Sequence, residues 1–175
     1  MKNSKNKEVF SWIKSILFAF VIVFICQKFI FVPRVVEGVS MNPTFENNNK
    51  IIVSKISKIE HFDMIVFHSP VSNDDYIKRV IGLPGDVVEM KNDVLTINGK
   101  VYKEFYLKSN KKSIPAGQKL TENFKIKVPK DKLFVMGDNR RKSFDSRRFG
   151  VIPKKSVVGE VKFRFYPLNE IEFTK

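Results

Sequence analysis

The chain is poor in the residues that small enzymes most often use to hold metals or relay protons. In 175 residues it has one cysteine, Cys26, and two histidines, His61 and His68. A lone cysteine excludes an intramolecular disulfide and any cysteine-based zinc cluster, and Cys26 lies inside an apolar run. The histidines leave little for a Ser-His-Asp triad. His61, Asp63 and His68 lack both a helical register and a further ligand cluster, so neither a metal nor a cofactor is expected. Acidic residues are also short, 18 against 32 Lys and Arg, with 27 basic and 17 acidic residues beyond Val32. Such an excess fits nucleic acid, yet the lysines from Lys108 to Lys132 are dispersed and no helix-turn-helix or aromatic RNA-binding signature organises them. It fits equally a surface lying on anionic lipid, where each cation gains about 1 kcal/mol. Charge alone does not choose.

Long apolar runs are absent except for one. Ser15 to Gln27 carries no charge, and apolar character resumes at Phe29 to Val32, so residues 11–32 approach the ~20 needed to cross a bilayer as a helix. Lys14 and Lys28 lie near the ends, where long side chains snorkel to headgroups. The residues that follow the run, from Gln27 to Phe31, include none of the small ones a signal-peptide cleavage site needs, which favours a retained anchor. A soluble helix apolar on every face would need a larger core than this chain can build. Lys2, Lys5 and Lys7 before the span, against Arg34 alone close behind it, hold the N-terminus in the cytoplasm. The expected organisation is a cytoplasmic segment 1–10, a single-pass cell-membrane anchor 11–32 and an extracytoplasmic body 33–175.

The body reads as mainly β. Short runs rich in Val, Ile, Phe and Tyr, punctuated by Pro, Gly, Asn and Asp, predict strands at Lys50–Val53, Met64–Phe67, Tyr76–Ile81, Val87–Met90, Val94–Ile97, Val101–Tyr106, Lys132–Met136 and Val157–Phe165. Asn98-Gly99 predicts a type I′ hairpin, because both turn positions need positive φ. Residues 92–128 are more polar and lysine-rich, either a small inserted subdomain or a long solvated excursion. There is no internal repeat.

Ser40, in "EGVSMNPTF", sits between a glycine and a proline turn, and a serine hydroxyl is unreactive until a base takes its proton. Lysine is the available route. Along the strand at 76–81, Tyr76, Lys78 and Val80 share one face and Ile77, Arg79 and Ile81 the other. A desolvated lysine can lose its proton near neutrality whereas arginine keeps its own, so Lys78 suits a base and Arg79 an ion pair. The plain alternatives are that both heads reach solvent from an edge strand and that Ser-x-x-Thr is ordinary turn material. A third segment, "VMGDNRRKSFDSRRFG", gathers Gly137, Asp138, Asn139, Ser143, Asp145, Ser146 and Arg147 in one loop after a strand.

With "GVSMNPTF", "FDMIVFHSP", "YIKRVIGLPGD" and this loop in order behind an apolar anchor, nearly the whole chain resembles the type I signal peptidases (leader peptidases) of bacteria. Lysine at 78, where the endoplasmic-reticulum relatives use histidine, resembles the bacterial form, and one span with a short insertion resembles the enzymes of Gram-positive bacteria. The resemblance implies a membrane-anchored Ser-Lys endopeptidase that cuts signal peptides from secretory preproteins after Ala-x-Ala-type sites, with membrane lipid and not nucleic acid as its other partner. It implies Ser40 as nucleophile, Lys78 as general base, and Ser143 as the residue orienting the lysine. Arg79, Asp145 and Arg147 would brace the loop through an ion pair, and Met41 and Pro43 would shape the substrate site. Met41 with Phe45 would also dip into lipid. The Ser40 N–H is the implied oxyanion donor, whereas Gly38 stands where relatives from double-membraned bacteria carry a serine hydroxyl. Phe62 stands where glycine is usual. Two rivals are a catalytically inactive anchored binding protein on the same scaffold and a self-cleaving repressor, which would need a DNA-binding domain in place of the span.

Overall fold

A computed structural model describes residues 2–174, and the side chains of residues 8–174. The side chains of Lys2, Lys5 and Lys7 lie outside that range. Helix α1, Lys2–Ile25, continues through a π turn at Cys26–Ile30. Glu8–Ile30 is long and apolar enough to cross a membrane, and none of it is buried against the body. The helical path ends two residues earlier than hydropathy alone indicates. Phe31 and Val32 open strand β1, Phe31–Val35, which is paired to β2, Lys50–Ser54. The junction is pinned where Lys55 donates from its backbone N–H to the Ile30 carbonyl and from Nζ to the Lys28 carbonyl.

The remaining strands are β3 (Met64–His68), β4 (Asp75–Gly82), β5 (Val87–Lys91), β6 (Val94–Ile97), β7 (Lys100–Tyr102), β8 (Phe124–Lys127), β9 (Lys132–Met136), β10 (Ile152–Pro153), β11 (Val157–Tyr166) and β12 (Glu172–Phe173). They form two antiparallel sheets. The larger runs β1-β2-β11-β3-β4-β9-β10 with β12 on β11, and the smaller runs β7-β6-β5-β8. The body is thus mainly β behind an apolar N-terminal helix, as the Val/Ile/Phe-rich runs lead one to expect.

Local sequence explains the small sheet well. Asn98 and Gly99 turn between β6 and β7 at φ 53° and 80°, as a type I′ hairpin requires. A second turn of the same hand, Asn92-Asp93 at φ 50° and 59°, joins β5 to β6. Strand β8 lies in the polar stretch. Its signal is the alternation Phe124-Lys125-Ile126-Lys127, four residues long and diluted by lysines. The run expected as a strand from Val101 to Tyr106 stops at Tyr102, and Phe105–Leu107 forms a 3₁₀ turn leading into α2, Lys108–Lys112.

The sheets share a core. Ile81, Phe134 and Met136 of the large sheet pack with Val88, Met90, Leu95 and Ile97 of the small one. Gly82 permits this approach, since a Cβ there would collide with Val88 and Val128. Two further clusters line the large sheet, one around Val36, Met41, Phe45, Ile51 and Val161, the other around Ile65, Phe67, Leu133 and Ile152. Met41 and Phe45 are 2% and 1% exposed. They are core residues, so the expectation that they dip into lipid is corrected: a side chain filling the interior has no surface to offer a bilayer.

Candidate active site

Strand β4 is central, hydrogen-bonded to β3 on one side and β9 on the other. Its two adjacent cations are therefore buried, Lys78 at 4% and Arg79 at 3% exposure, and neither reaches solvent from an edge. Pleating sends them to opposite faces, where they meet opposite surroundings.

Lys78 Nζ donates to Ser40 Oγ at 2.8 Å and to the Ile77 carbonyl at 3.0 Å, and no carboxylate among the described residues pairs with it. Burial lowers its pKa to about 8, opposed by the more distant charges of Asp145 and Asp138. Once the lysine is neutral, the same 2.8 Å contact lets Ser40 Oγ–H donate to Nζ. The serine and lysine open into a groove of about 430 Å³ lined on one side by Arg34 to Met41 and on the other by Asp74 to Lys78, with Val66, Lys142 and Phe144. Arg34 and Asp75 pair across this groove at 3.2 Å. Met41 lines it; Pro43 does not, and faces a separate surface with Phe105 and Tyr106.

On the far face Arg79 is saturated. It donates to both carboxylate oxygens of Asp138, at 2.9 and 2.6 Å, and to the Phe62 carbonyl at 2.8 Å, while the Tyr106 ring lies 4.0 Å beneath its guanidinium. Asp138 also accepts from Thr44 Oγ1, four residues past the serine. Phe62 holds its carbonyl in place at φ 72°, a left-handed conformation that glycine adopts without strain. Nearby, fully buried Arg140 pairs with Glu104, whose carboxylate also accepts from Tyr106 Oη. Burial opposes the Arg140 charge, but Glu104, Tyr106 and Asp138 together more than offset this and raise its pKa. Burial pushes the Tyr106 phenol well up, so it stays neutral.

The segment Gly137–Asp145 carries the remaining residues. Asn139 donates from its backbone N–H to the Ser40 carbonyl and from Nδ2 to the Val39 carbonyl, both at 3.0 Å. Asp145 caps the short helix α3, Ser146–Phe149, and forms an ion pair with Arg147 at 2.7 Å. It also accepts from the Gly137 N–H. Burial would raise the Asp145 carboxyl, but the hydrogen bonds and charge of Arg147, the Gly137 N–H and the nearby Ser143 hydroxyl hold it low. Ser143 is buried, and its Oγ meets full hydrogen-bonding geometry with no partner, Lys78 included. Gly137 lets the segments close up, since a Cβ there would strike Ser143 Oγ and the Ser40 carbonyl.

The Ser40 N–H has no acceptor among the described residues. Gly38 lies at φ 84° with its N–H donated to Asn47 Oδ1. His61 bonds Asp86 and His68 bonds Asp75, and no group of three His, Cys, Asp or Glu side chains converges among the described residues. Asp138, Asn139, Thr44, Glu104, Tyr106 and Arg140 were not singled out from sequence for these contacts. Asp138 and Asn139 were visible in the quoted loop. Glu104 and Tyr106 carried no motif signal.

A serine hydroxyl set against a buried lysine on a curled antiparallel sheet marks the class: a β-rich serine peptidase. The profile described as "Signal peptidase, peptidase S26" matches residues 9–166. The chain is 46% identical to signal peptidase I of Bacillus amyloliquefaciens, over 99% of this chain and 97% of that one. It is 44% identical to signal peptidase IB of Staphylococcus aureus, over 96% and 95%. A crystal structure of a signal peptidase I from Enterococcus faecalis matches with TM-score 0.59 and 40% identity, covering 60% of this chain and 97% of that one. The chain belongs to the peptidase S26 family of signal peptidases and acts on preproteins that bear signal peptides.

Proposed function

We propose that the protein cleaves these preproteins by a Ser40-Lys78 dyad. The observation that carries this is the 2.8 Å contact between Ser40 Oγ and a buried lysine whose pKa falls to about 8. Neutral Lys78 takes the Ser40 proton as Oγ attacks the scissile carbonyl, then returns it to the leaving amine. A water, deprotonated by the same lysine, releases the acyl group. The unengaged Ser40 N–H stabilises the oxyanion. At Gly38 there is no side-chain donor, and its own N–H is already committed to Asn47. Orientation of the lysine by Ser143 requires its hydroxyl, which lies beside the Asp145 carboxylate, to turn toward Nζ. Arg79, Asp145 and Arg147 act as braces through their ion pairs.

The groove between residues 34–41 and 74–78 receives the precursor as an extended segment, with small pockets accepting Ala-x-Ala-type residues and Met41 forming part of the wall. Pro43 acts on it only by shaping the turn after Ser40. Glu8–Ile30 anchors the enzyme, N-terminus in the cytoplasm, and holds the body 33–175 outside at the bilayer where precursors present their cleavage sites. Confinement to that plane raises the effective substrate concentration. The test is cleavage of a secretory precursor by detergent-solubilised protein beside Ser40→Ala, with the new N-terminus read by mass spectrometry. A cut after an Ala-x-Ala site that disappears in the variant is expected. Intact precursors with folded wild-type protein would favour the inactive-binder reading.

A further inference from the structure

The turn that carries Ser40 is tied down through its carbonyls, each by a donor from a different part of the chain. The Ser40 carbonyl accepts from the Asn139 N–H at 3.0 Å, the Thr44 carbonyl from Arg164 Nη1 of β11 at 3.0 Å, and the Asn42 carbonyl from Asn110 Nδ2 at 3.2 Å. Asn110 belongs to α2, in the lobe built between β5 and β8. The same Nδ2 donates to the Asp138 carbonyl at 2.8 Å. One amide thus bridges the turn after the serine and the segment whose Asp138 holds Arg79, the neighbour of Lys78.

We propose that Asn110 is a positioning residue, through which the small lobe helps set the separation of Ser40 from Lys78. The inference rests on the reading of those two residues as nucleophile and base. The lobe makes other contacts with the same region, Tyr106 beneath Arg79 and Glu104 on Arg140. Those contacts hold the fold together electrostatically, since losing Glu104 would strand a buried guanidinium. Asn110 differs because it is uncharged and only partly buried, so its removal strands no charge and leaves two carbonyls that water can satisfy. Its contribution is geometric: it joins two segments that must keep the attacking oxygen and its base in register. A displacement of 1 Å at such a pair costs on the order of 100-fold in rate.

The test uses the full-length protein in detergent, with Asn110→Ala and with Asn110→Asp, which keeps the shape but removes the amide donor and serves if the alanine variant folds poorly. Active sites are titrated with a serine-directed acylating probe, so that rates refer to competent protein. A fall in kcat of about 10- to 100-fold is expected, with KM within about two-fold of wild type. The midpoint of the pH–kcat/KM profile should also move up as water gains access to Lys78. A merely structural role would lower the titrated fraction and leave kcat per site and the pH midpoint unchanged. That result in the variants, with Ser40→Ala inactive, overturns the positioning role alone. Cleavage persisting in Ser40→Ala overturns the reading of the site on which it rests.

Discussion

The two faces of β4 hold a cation each, one residue apart and equally buried, and the chain treats them in opposite ways. Arg79 has a bidentate carboxylate, a carbonyl and an aromatic ring, and its partner Asp138 is completely buried with it. Lys78 has a serine hydroxyl, its own strand's carbonyl and the Tyr76 ring at 5.2 Å, with no ion pair among the described residues. Burial without an ion pair lowers the Lys78 pKa, as the proposed role of base requires, at a cost to stability. Over-satisfying Arg79, with Arg140 and Asp145 nearby, holds rigid the segments that carry the reactive pair. On the proposed mechanism, reactivity and bracing are thus segregated by the pleat of one strand.

The largest expected effect breaks the reactive face. Lys78→Met should lower precursor cleavage by about 10⁴-fold or more. It should also stabilise the protein by about 1–3 kcal/mol at pH 7, because a desolvated ammonium is replaced by an apolar chain of similar length. Urea unfolding of both proteins checks this. The pH dependence follows from the depressed pKa. Between about 8 and 10.5 the unfolded lysine binds a proton that the folded one does not, so wild-type stability rises with pH across that window. Below about 8 both forms are protonated and the contribution is flat. Cleavage should rise with pH through about 8 as the neutral fraction grows, and Lys78→Met should lack the stability slope.

Breaking the bracing face should have the opposite sign. Arg79→Met leaves Asp138 as an uncompensated buried carboxylate and should cost about 3–5 kcal/mol in the same unfolding assay. Equal stability of Arg79→Met and Lys78→Met would erase the contrast between the faces. A smaller effect sharpens it at their junction. Gly137→Ala drives a Cβ into Ser143 Oγ and the Ser40 carbonyl, and should lower thermal stability by about 1–3 kcal/mol while reducing cleavage.

The strands were legible where four consecutive Val, Ile, Leu, Phe or Met residues form a run buried on both faces, as at Met64–His68 and Lys132–Met136. They were obscured where the run was short or interrupted. The lysines of β8 hid its period, and the apolar Phe31-Val32 of β1 continued the hydropathy of the helix before it. The chemical suitability of Lys78 over Arg79 was also legible, because it rests on intrinsic proton affinity. The resemblance implies that Ser143 orients the lysine, whereas its place beside the Asp145 carboxylate is a detail no residue pattern encodes.

By itself the sequence determined an apolar helix of membrane-spanning length, a β body with an Asn-Gly hairpin, and a shortage of histidine that makes lysine the candidate base. These are local properties of composition and period. Only the tertiary structure decided that β4 is a central strand, which buries Lys78, and that Arg79 takes Asp138 as its partner. Only the fold brought Asn110 to the turn after Ser40. Those contacts join residues 38, 59 and 68 positions apart, and the free energy of each depends on which surfaces exclude water, which no local pattern specifies.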